Sequence, residues 1–592
     1  MKVLFAASEC TPFIKTGGLA DVIGTLPVAL AKQGVDARVI LPKYKDIPEL
    51  FKSRMKTEQV FYVNLGWRKQ YCGVLSLEQS GVTYYFIDNE YYFGNEGVYS
   101  SGNYEGERFS FFCRAVLETI VRLGLSVDIL HLNDWQTGMI APLLATQYRA
   151  NPLLKNVKTA FTIHNLRFQG IFPWLFIDDL LGLDDQYFRS DMLEYYGCVN
   201  FLKAGIVFSD VITTVSPSYA NEIQTPYFGE RMDGLLRAKS ASLVGILNGI
   251  DPNEYDPATD PVIPAHFSAE DLSGKAECKA ALQRDLGLEA NPDVPIIAMV
   301  SRLTSQKGID LIDRVIDDMM RTDLQFVVLG TGEQQYHDLF GWASWRYSGR
   351  FATRIEHSNA LSHRIFAGAD MLLMPSQFEP CGLTQMIAMR YGTIPIVRET
   401  GGLRDSVQPY NRYTDEGTGF SFANYNAHEM LFTIESAVGY YHDKAVWPGL
   451  MQRTMAQDFS WTISAKKYLD LYDSLLAPKP LDPKEGEVVK APKASTKASK
   501  TATKTQAANA TDAAKQPAKP KRKPAAKPAE KATTKTTEKA APKITEKTAA
   551  STTKRAAPKS RSKSAKPTGK TIEELNKIAI PVAEKQEENK PE

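Results

Sequence analysis

Lys15-Thr16-Gly17-Gly18-Leu19-Ala20-Asp21-Val22 follows almost at once on the short apolar run Val3-Leu4-Phe5-Ala6-Ala7. That run reads as a buried strand, and Leu26-Pro27-Val28-Ala29-Leu30-Ala31, beyond the glycines, reads as a helix. Strand, glycine loop and helix start in this order form an anion-binding device. Glycine lets a ligand approach the backbone, and free N–H groups with the helix dipole favour negative charge. Lys15 adds a full positive charge. The loop matches neither G-x-G-x-x-G nor the Walker pattern. By itself it fits equally well an α/β turn in which Gly17 and Gly18 supply unusual backbone angles.

The same alternation continues outward. Ala37–Leu41, Tyr84–Ile87, Ile129–Leu132, Thr159–Ile163 and Val211–Val215 read as a first set of strands. Ile296–Val300, Leu324–Leu329, Met371–Met374 and Ile394–Val397 read as a second. Apolar strands alternating with helices imply parallel sheets buried on both faces. Asn248-Gly249-Ile250-Asp251, ahead of a proline-rich stretch, reads as a hinge. The expected fold is α/β: two Rossmann-like domains, 1–243 and 244–457, facing a cleft. A helix within 458–476 is expected to cross back to the first domain.

The remainder, 477–592, is built almost entirely of Lys, Ala, Thr, Pro and Ser up to Lys570. It has no aromatic residue and cannot offset its ordering entropy by burial, so it is expected to be a disordered tail. The net charge of +2 over 592 residues hides an asymmetry: residues 479–570 carry +18, and residues 1–478 carry −13. Six scattered cysteines without a C-x-x-C pair argue against a zinc site or a disulfide framework and fit a reducing cytoplasm. No apolar run reaches membrane-spanning length.

In open α/β sheets, ligands sit at the carboxyl ends of strands, and four further clusters lie there. Asn133-Asp134-Trp135 follows one strand; Asp134 and Trp135 suit a sugar by hydrogen bonding and stacking, and Trp135 equally suits the core. His164 follows another strand, as a buried histidine or as a donor to substrate. Arg302 and Lys307 share a loop with Gly308 and suit a diphosphate leaving group, whose departure builds negative charge. In Phe378-Glu379-Pro380-Cys381-Gly382-Leu383-Thr384, the proline fixes a loop, Gly382 allows close approach and a helix begins at Leu383-Thr384. Glu379 there either stabilises an oxocarbenium ion or caps a helix. Thr400-Gly401-Gly402 repeats the anion-loop pattern one strand later. No metal-ligand cluster is evident.

Taken in order, these stretches closely resemble the bacterial glycogen synthases and plant starch synthases that use ADP-glucose: KTGGLADV (15–22), DWQTG (134–138), FTIHNLRFQG (161–170), ILNGID (246–251), SRLTSQKG (301–308), FEPCGLTQ (378–385) and TGGL (400–403). The resemblance spans essentially residues 1–476. It implies a GT-B fold and retaining transfer of glucose from ADP-glucose to the non-reducing 4-OH of an α-1,4-glucan, with no cofactor and no metal. By the same resemblance, Arg302 and Lys307 hold the diphosphate, and His164 and Glu379 flank the transferred glucose. Lys15, with Gly17 and Gly18, sits near the donor. Asp21, Asp134 and Asn248 line the donor and acceptor region. Cys381, Gly382, Leu383 and Thr384, with Thr400, Gly401 and Gly402, complete the substrate-binding set. Many relatives carry histidines where Asn133 and Gln136 stand. Two alternatives stay open: the same fold with UDP-glucose or another acceptor, and a protein whose basic tail binds nucleic acid or other polyanions.

Overall fold

The computed structural model describes residues 1–95 and 97–477. The tail from Pro478, with its expected disorder and polyanion binding, lies outside the described residues.

The first half forms a nine-stranded sheet from Lys2–Ala6 (β1), Asp36–Pro42 (β2), Lys56–Leu65 (β3), Arg68–Gln79 (β4), Val82–Asp88 (β5), Ile129–Asn133 (β6) and Lys158–Ile163 (β7), then, past a small sheet of Ile171–Pro173 (β8), Glu194–Tyr195 (β9) and Cys198–Asn200 (β10), Val211–Thr214 (β11) and Leu243–Gly245 (β12). Its order is β12-β11-β7-β6-β1-β2-β5-β4-β3. Seven strands are parallel. The expectation of purely parallel sheets fails at one edge, where β4 runs antiparallel to both β3 and β5. There Phe61, Val63 and Leu65 are buried while Val60 and Tyr62 face solvent, the alternation of a half-buried antiparallel hairpin.

The second half forms a fully parallel sheet, β15-β14-β13-β16-β17-β18, from Ile296–Val300 (β13), Gln325–Leu329 (β14), Phe351–Arg354 (β15), Met371–Met374 (β16), Ile394–Arg398 (β17) and Phe420–Phe422 (β18). Period-two alternation divides its side chains between two cores. Ile296, Ala298, Leu372 and Met374 join the core continuous with the first half. Ile297, Met299, Met371 and Leu373 join a separate core on the opposite face.

Strand order reverses at β1/β6 in the first sheet and at β13/β16 in the second. Such switch points open a crevice at the carboxyl ends of the strands. The segments leaving these four strands are 7–17, 134–139 (with a short helix at Trp135–Gly138), 301–308 and 375–383, which carry most of the motifs above.

The chain crosses between the halves twice, side by side. Ile250 N–H donates to the Phe459 carbonyl at 2.8 Å, and a Cβ on Gly249 would lie 2.7 Å from Trp461 N. The last described helix, Trp461–Leu476, then packs on the helix Gly18–Lys32. Tyr472 Oη meets His131 Nδ1 at 2.6 Å within the first half.

Candidate active site

Gly308 has φ +71°, and a Cβ there would fall 2.1 Å from the Pro375 carbonyl oxygen. Only glycine permits that approach, which presses the loop after β13 onto the loop after β16. Gln306 and Gln377 seal the contact, Gln377 N–H donating to the Gln306 carbonyl at 2.8 Å. Lys307 Nζ thereby reaches Glu379 Oε2 at 2.6 Å, and Ser376 Oγ donates to the same oxygen at 2.9 Å. Both charged side chains are largely buried. Arg302, five residues away, is exposed, and its guanidinium has no partner among the described residues. The two cations of this loop are therefore unequal: one is held on a carboxylate and the other is free to meet a ligand.

After Glu379, the backbone N–H groups of Cys381, Gly382 and Leu383 make no hydrogen bond among the described residues, and the helix Thr384–Arg390 begins directly behind them. Gly382 has φ +72°. Burial pushes the Cys381 thiol up to about 12, which leaves it protonated and not nucleophilic. Asn248 lies against Cys381, and its Oδ1 is buried without a partner, an orphan acceptor of the kind that calls for an explanation.

Thr400, Gly401 and Gly402 stand behind this loop. Gly402 N–H donates to the Glu379 carbonyl at 3.0 Å. A Cβ on Gly401 would lie 1.9 Å from that same oxygen, and one on Gly402 would lie 2.0 Å from the Cys381 carbonyl oxygen. Thr400 is fully buried. Gly401 and Gly402 brace the Glu379 loop, and Thr400 precedes them as the N-cap residue of the helix Gly401–Ser406.

Across the crevice, the opening loop differs from a vacant anion cradle. Glu9 Oε2 accepts from Thr16 N–H, from Thr16 Oγ1 at 2.8 Å and from Gly17 N–H at 3.3 Å, while Tyr99 Oη donates to Oε1 at 3.3 Å. An internal carboxylate already occupies these amides, and burial raises its pKa. Lys15 is likewise paired, with Asp21 at 2.8 Å; burial raises the Asp21 pKa against the pull of that lysine. Neither glycine needs a left-handed angle. Gly17 is extended at φ −157°, and Cβ atoms at 17 and 18 would meet nothing closer than 3.8 and 3.7 Å. The turn reading therefore does not account for them, and a Cβ at either position would make only ordinary van der Waals contact. The nearest atom to a Cβ on Gly18 is Leu383 Cδ1, from the opposite wall.

Asp134 adopts φ +55° after β6. Its Oδ1 accepts from His164 N–H at 2.8 Å, and burial raises its pKa to about 7. Burial lowers the His164 pKa to about 3, so its ring is neutral near pH 7. Asn133 fixes the tautomer. Its amide nitrogen donates to the Ala6 carbonyl at 3.1 Å, which turns its oxygen toward His164 Nε2 at 3.0 Å. Nε2 therefore carries the hydrogen and donates it to Asn133, and Nδ1 is the lone-pair nitrogen. Trp135 is core: it is buried and packed edge-on to Phe109 at 5.2 Å.

The walls also meet where Arg167 stacks on Phe378 at 5.9 Å. A hollow of about 250 Å³ opens there, lined by Arg167, Tyr219, Tyr227, Phe228 and Phe378 among others. A larger one, about 450 Å³, lies at the amino ends of β6 and β7, away from every motif. Among the described residues, no cluster of His, Cys, Asp and Glu is arranged to hold a metal ion, and no helix is long and apolar enough to cross a membrane. Glu9 was not singled out from the sequence, although a carboxylate just past β1 obeys the strand-end rule that located the other loops.

Two largely parallel sheets joined by paired crossings, with their carboxyl-end loops facing one cleft, have the architecture of the GT-B glycosyltransferases. Residues 2–238 match the starch synthase catalytic domain and residues 287–439 match glycosyl transferases group 1. The chain is 53% identical over 476 residues to a glycogen synthase of Desulforamulus reducens, covering 80% of this chain and 99% of that one. It is 54% identical over 477 residues to one of Geobacillus thermodenitrificans, covering 80% and 98%. Its structure is similar to the catalytic domain of starch synthase IV from Arabidopsis thaliana, solved with ADP and acarbose: TM-score 0.75, 36% identity, 80% of this chain and 99% of that one. A sucrose-phosphate synthase from Thermosynechococcus elongatus, 17% identical with a TM-score of 0.52, covers 80% and 98% and shares the fold alone. The chain belongs to the glycogen synthase and starch synthase family of glycosyltransferases.

Proposed function

We propose that the cleft transfers glucose from ADP-glucose, with retention at the anomeric carbon, to the non-reducing 4-OH of an α-1,4-glucan and releases ADP. The observation that carries this reading is the Lys307–Glu379 pair at 2.6 Å, set beside the unpaired Arg302 and three open backbone N–H groups. A departing diphosphate needs cations and aimed donors where its charge develops, each worth roughly 2.7–4 kcal/mol in comparable sites. The ADP held by the Arabidopsis relative supports the adenine donor. Glu379 and Lys307 act at the transferred glucose and its leaving group, with Arg302 on the diphosphate. Lys15, Gly17, Gly18, Asp21 and Asp134 line the opposite wall, and Asn248 sits beside Cys381. His164 keeps a neutral ring against the sugar. With Nε2–H committed to Asn133, the atom it offers a hydroxyl is Nδ1, an acceptor and not the donor expected from the sequence. Thr400, Gly401 and Gly402 contribute through the Glu379 backbone. Retention suits front-side attack, the leaving phosphate taking the acceptor proton. We assign 1–243 and 244–457 as the two lobes, 458–476 as the returning helix and the cytoplasm as the place of action.

Incorporation of radiolabel into glycogen, from ADP-glucose and UDP-glucose in parallel, tests the reading. ADP-glucose is expected to be preferred, and Glu379→Ala and Lys307→Ala to abolish nearly all incorporation. Preference for UDP-glucose refutes the donor, and wild-type rates in either variant refute the site. The +18 segment at 479–570 supports a separate role in salt-sensitive polyanion binding. A chain truncated after Leu476 is expected to keep catalysis and lose retention on nucleic acid at low salt; unchanged retention removes that role.

A further inference from the structure

We propose that Glu222, in the first half of the chain, is a positioning residue for Glu379 in the second. Glu222 closes the helix Pro217–Glu222. Its Oε1 accepts from Gly401 N–H at 2.9 Å and from Thr400 Oγ1 at 3.1 Å, and its Oε2 lies 3.2 Å from the same hydroxyl. These partners lead directly to the catalytic loop. Gly402 N–H donates to the Glu379 carbonyl, and Gly401 fits against that oxygen only because it lacks a Cβ. Glu222 therefore fixes the segment on which the Glu379 backbone rests. Two more contacts run from the same helix across to the second half. Ser216 Oγ donates to the Pro380 carbonyl at 2.6 Å, and Ser218 donates from N and Oγ to Asp405, each at 2.7 Å. Only the Glu222 route ends on the carbonyl of Glu379 itself.

The physical reason is tolerance. A reacting group must be held within ~0.5 Å of its productive position by groups that are themselves locked. Pairing with Lys307 and Ser376 fixes the far end of the Glu379 side chain; Gly402 fixes its backbone. Because Glu222 belongs to the opposite half, its bonds exist only in this arrangement of the halves. Relative displacement of the halves would break them and release the support. The inference rests on the role proposed for Glu379.

The test compares kcat, KM for glycogen and the ADP dissociation constant in Glu222→Ala, Glu222→Gln, Asp405→Asn and Glu379→Ala. Glu222→Ala is expected to lower kcat by on the order of tenfold to a hundredfold, the cost of a small misplacement, with KM and ADP affinity within about threefold of wild type. Glu222→Gln keeps an oxygen that accepts from Gly401 N–H and is expected to restore kcat to within about threefold. Asp405→Asn weakens an equally cross-half contact that does not reach Glu379, and kcat is expected to stay within about twofold. If Glu222→Ala does not fold, Thr400→Val, which removes the hydroxyl and leaves Gly401 bonded, carries the test with a smaller fall in kcat. The inference is overturned by unchanged kcat in Glu222→Ala, by a loss confined to KM, by failure of Glu222→Gln to restore, or by an equal loss in Asp405→Asn. An active Glu379→Ala overturns the site reading and this inference with it; an inactive Glu379→Ala beside an unaffected Glu222→Ala overturns this inference alone.

Discussion

Lys307→Ala separates the structural from the chemical contribution of the central ion pair. The Lys307 and Glu379 side chains keep only 14% and 8% of their exposure. Removing one partner of a buried pair leaves an uncompensated charge and costs ~3–5 kcal/mol. The Ser376 hydroxyl remains on Glu379 Oε2, and the lysine is not fully desolvated, so the lower end, ~3 kcal/mol, is expected. Adding Glu379→Gln removes the stranded charge. The double variant should recover about half or more of that loss, because the carboxamide is neutral and leaves no buried charge unpaired, although the volume of the lysine stem is not restored. Urea unfolding followed by tryptophan fluorescence reads both values. Activity should not return in the double variant, since both groups are also assigned to the reaction. A Lys307→Ala loss below ~1 kcal/mol, or no recovery on adding Glu379→Gln, would refute the claim that the pair is electrostatically buried.

Three further outcomes follow from single features. Gly17→Ala meets no steric obstacle, its nearest neighbour being 3.8 Å away, so stability should change by less than ~0.5 kcal/mol while KM for donor or acceptor rises; unchanged kinetics would show that no ligand closes on the loop. Gly308→Ala must abandon φ +71° and a close approach to Pro375, so it should destabilise by more than ~1 kcal/mol and also lower kcat, read by unfolding and initial rates. Asp134, raised to about 7, contributes stability that is full below its ordinary range and is lost as pH rises through about 7; His164, lowered to about 3, contributes stability that is full above ~6.5 and is lost as pH falls toward 3. Asp134→Asn should therefore gain on wild type between pH 5 and 8, as unfolding midpoints would show, and the His164 ring should give no NMR titration over that range; a pH-independent gap or a titrating ring contradicts the assignments.

The parallel strands were legible because each is a continuous apolar run buried on both faces, as in Ile296–Val300, with polar motif residues abutting its end. Strands β3 and β4 were not, since their alternation of Phe61, Val63 and Leu65 with exposed residues dilutes any apolar run. Strands β9, β10 and β18 are two or three residues long and leave no periodicity. The Glu379 and Arg302–Lys307 loops were legible from loop chemistry alone, but the bond between Lys307 and Glu379 was not, because Gly308 creates it by a contact across 67 residues of sequence. The glycine-rich character of the loops 15–22 and 400–402 was legible, but the carboxylates that bond their amides were not. Those carboxylates, Glu9 and Glu222, carry no motif, and Glu222 lies 179 residues from Gly401.

The returning helix has a consequence for how the chain is made. Tyr468 and Tyr472 are buried against His131 of the first sheet, yet they emerge from the ribosome more than 200 residues after β12 is complete. At ~5–20 residues per second, the first half waits for roughly 11–45 s with that surface uncovered. Vectorial synthesis therefore delivers a half that has its sheet but not its last covering layer. The second half must be synthesised, and its chain brought back through the paired crossing, before the first can close. The two sheets are coupled at birth by a helix encoded after every motif of the cleft, so a message truncated before Trp461 should yield a product that chaperones hold and proteases clear.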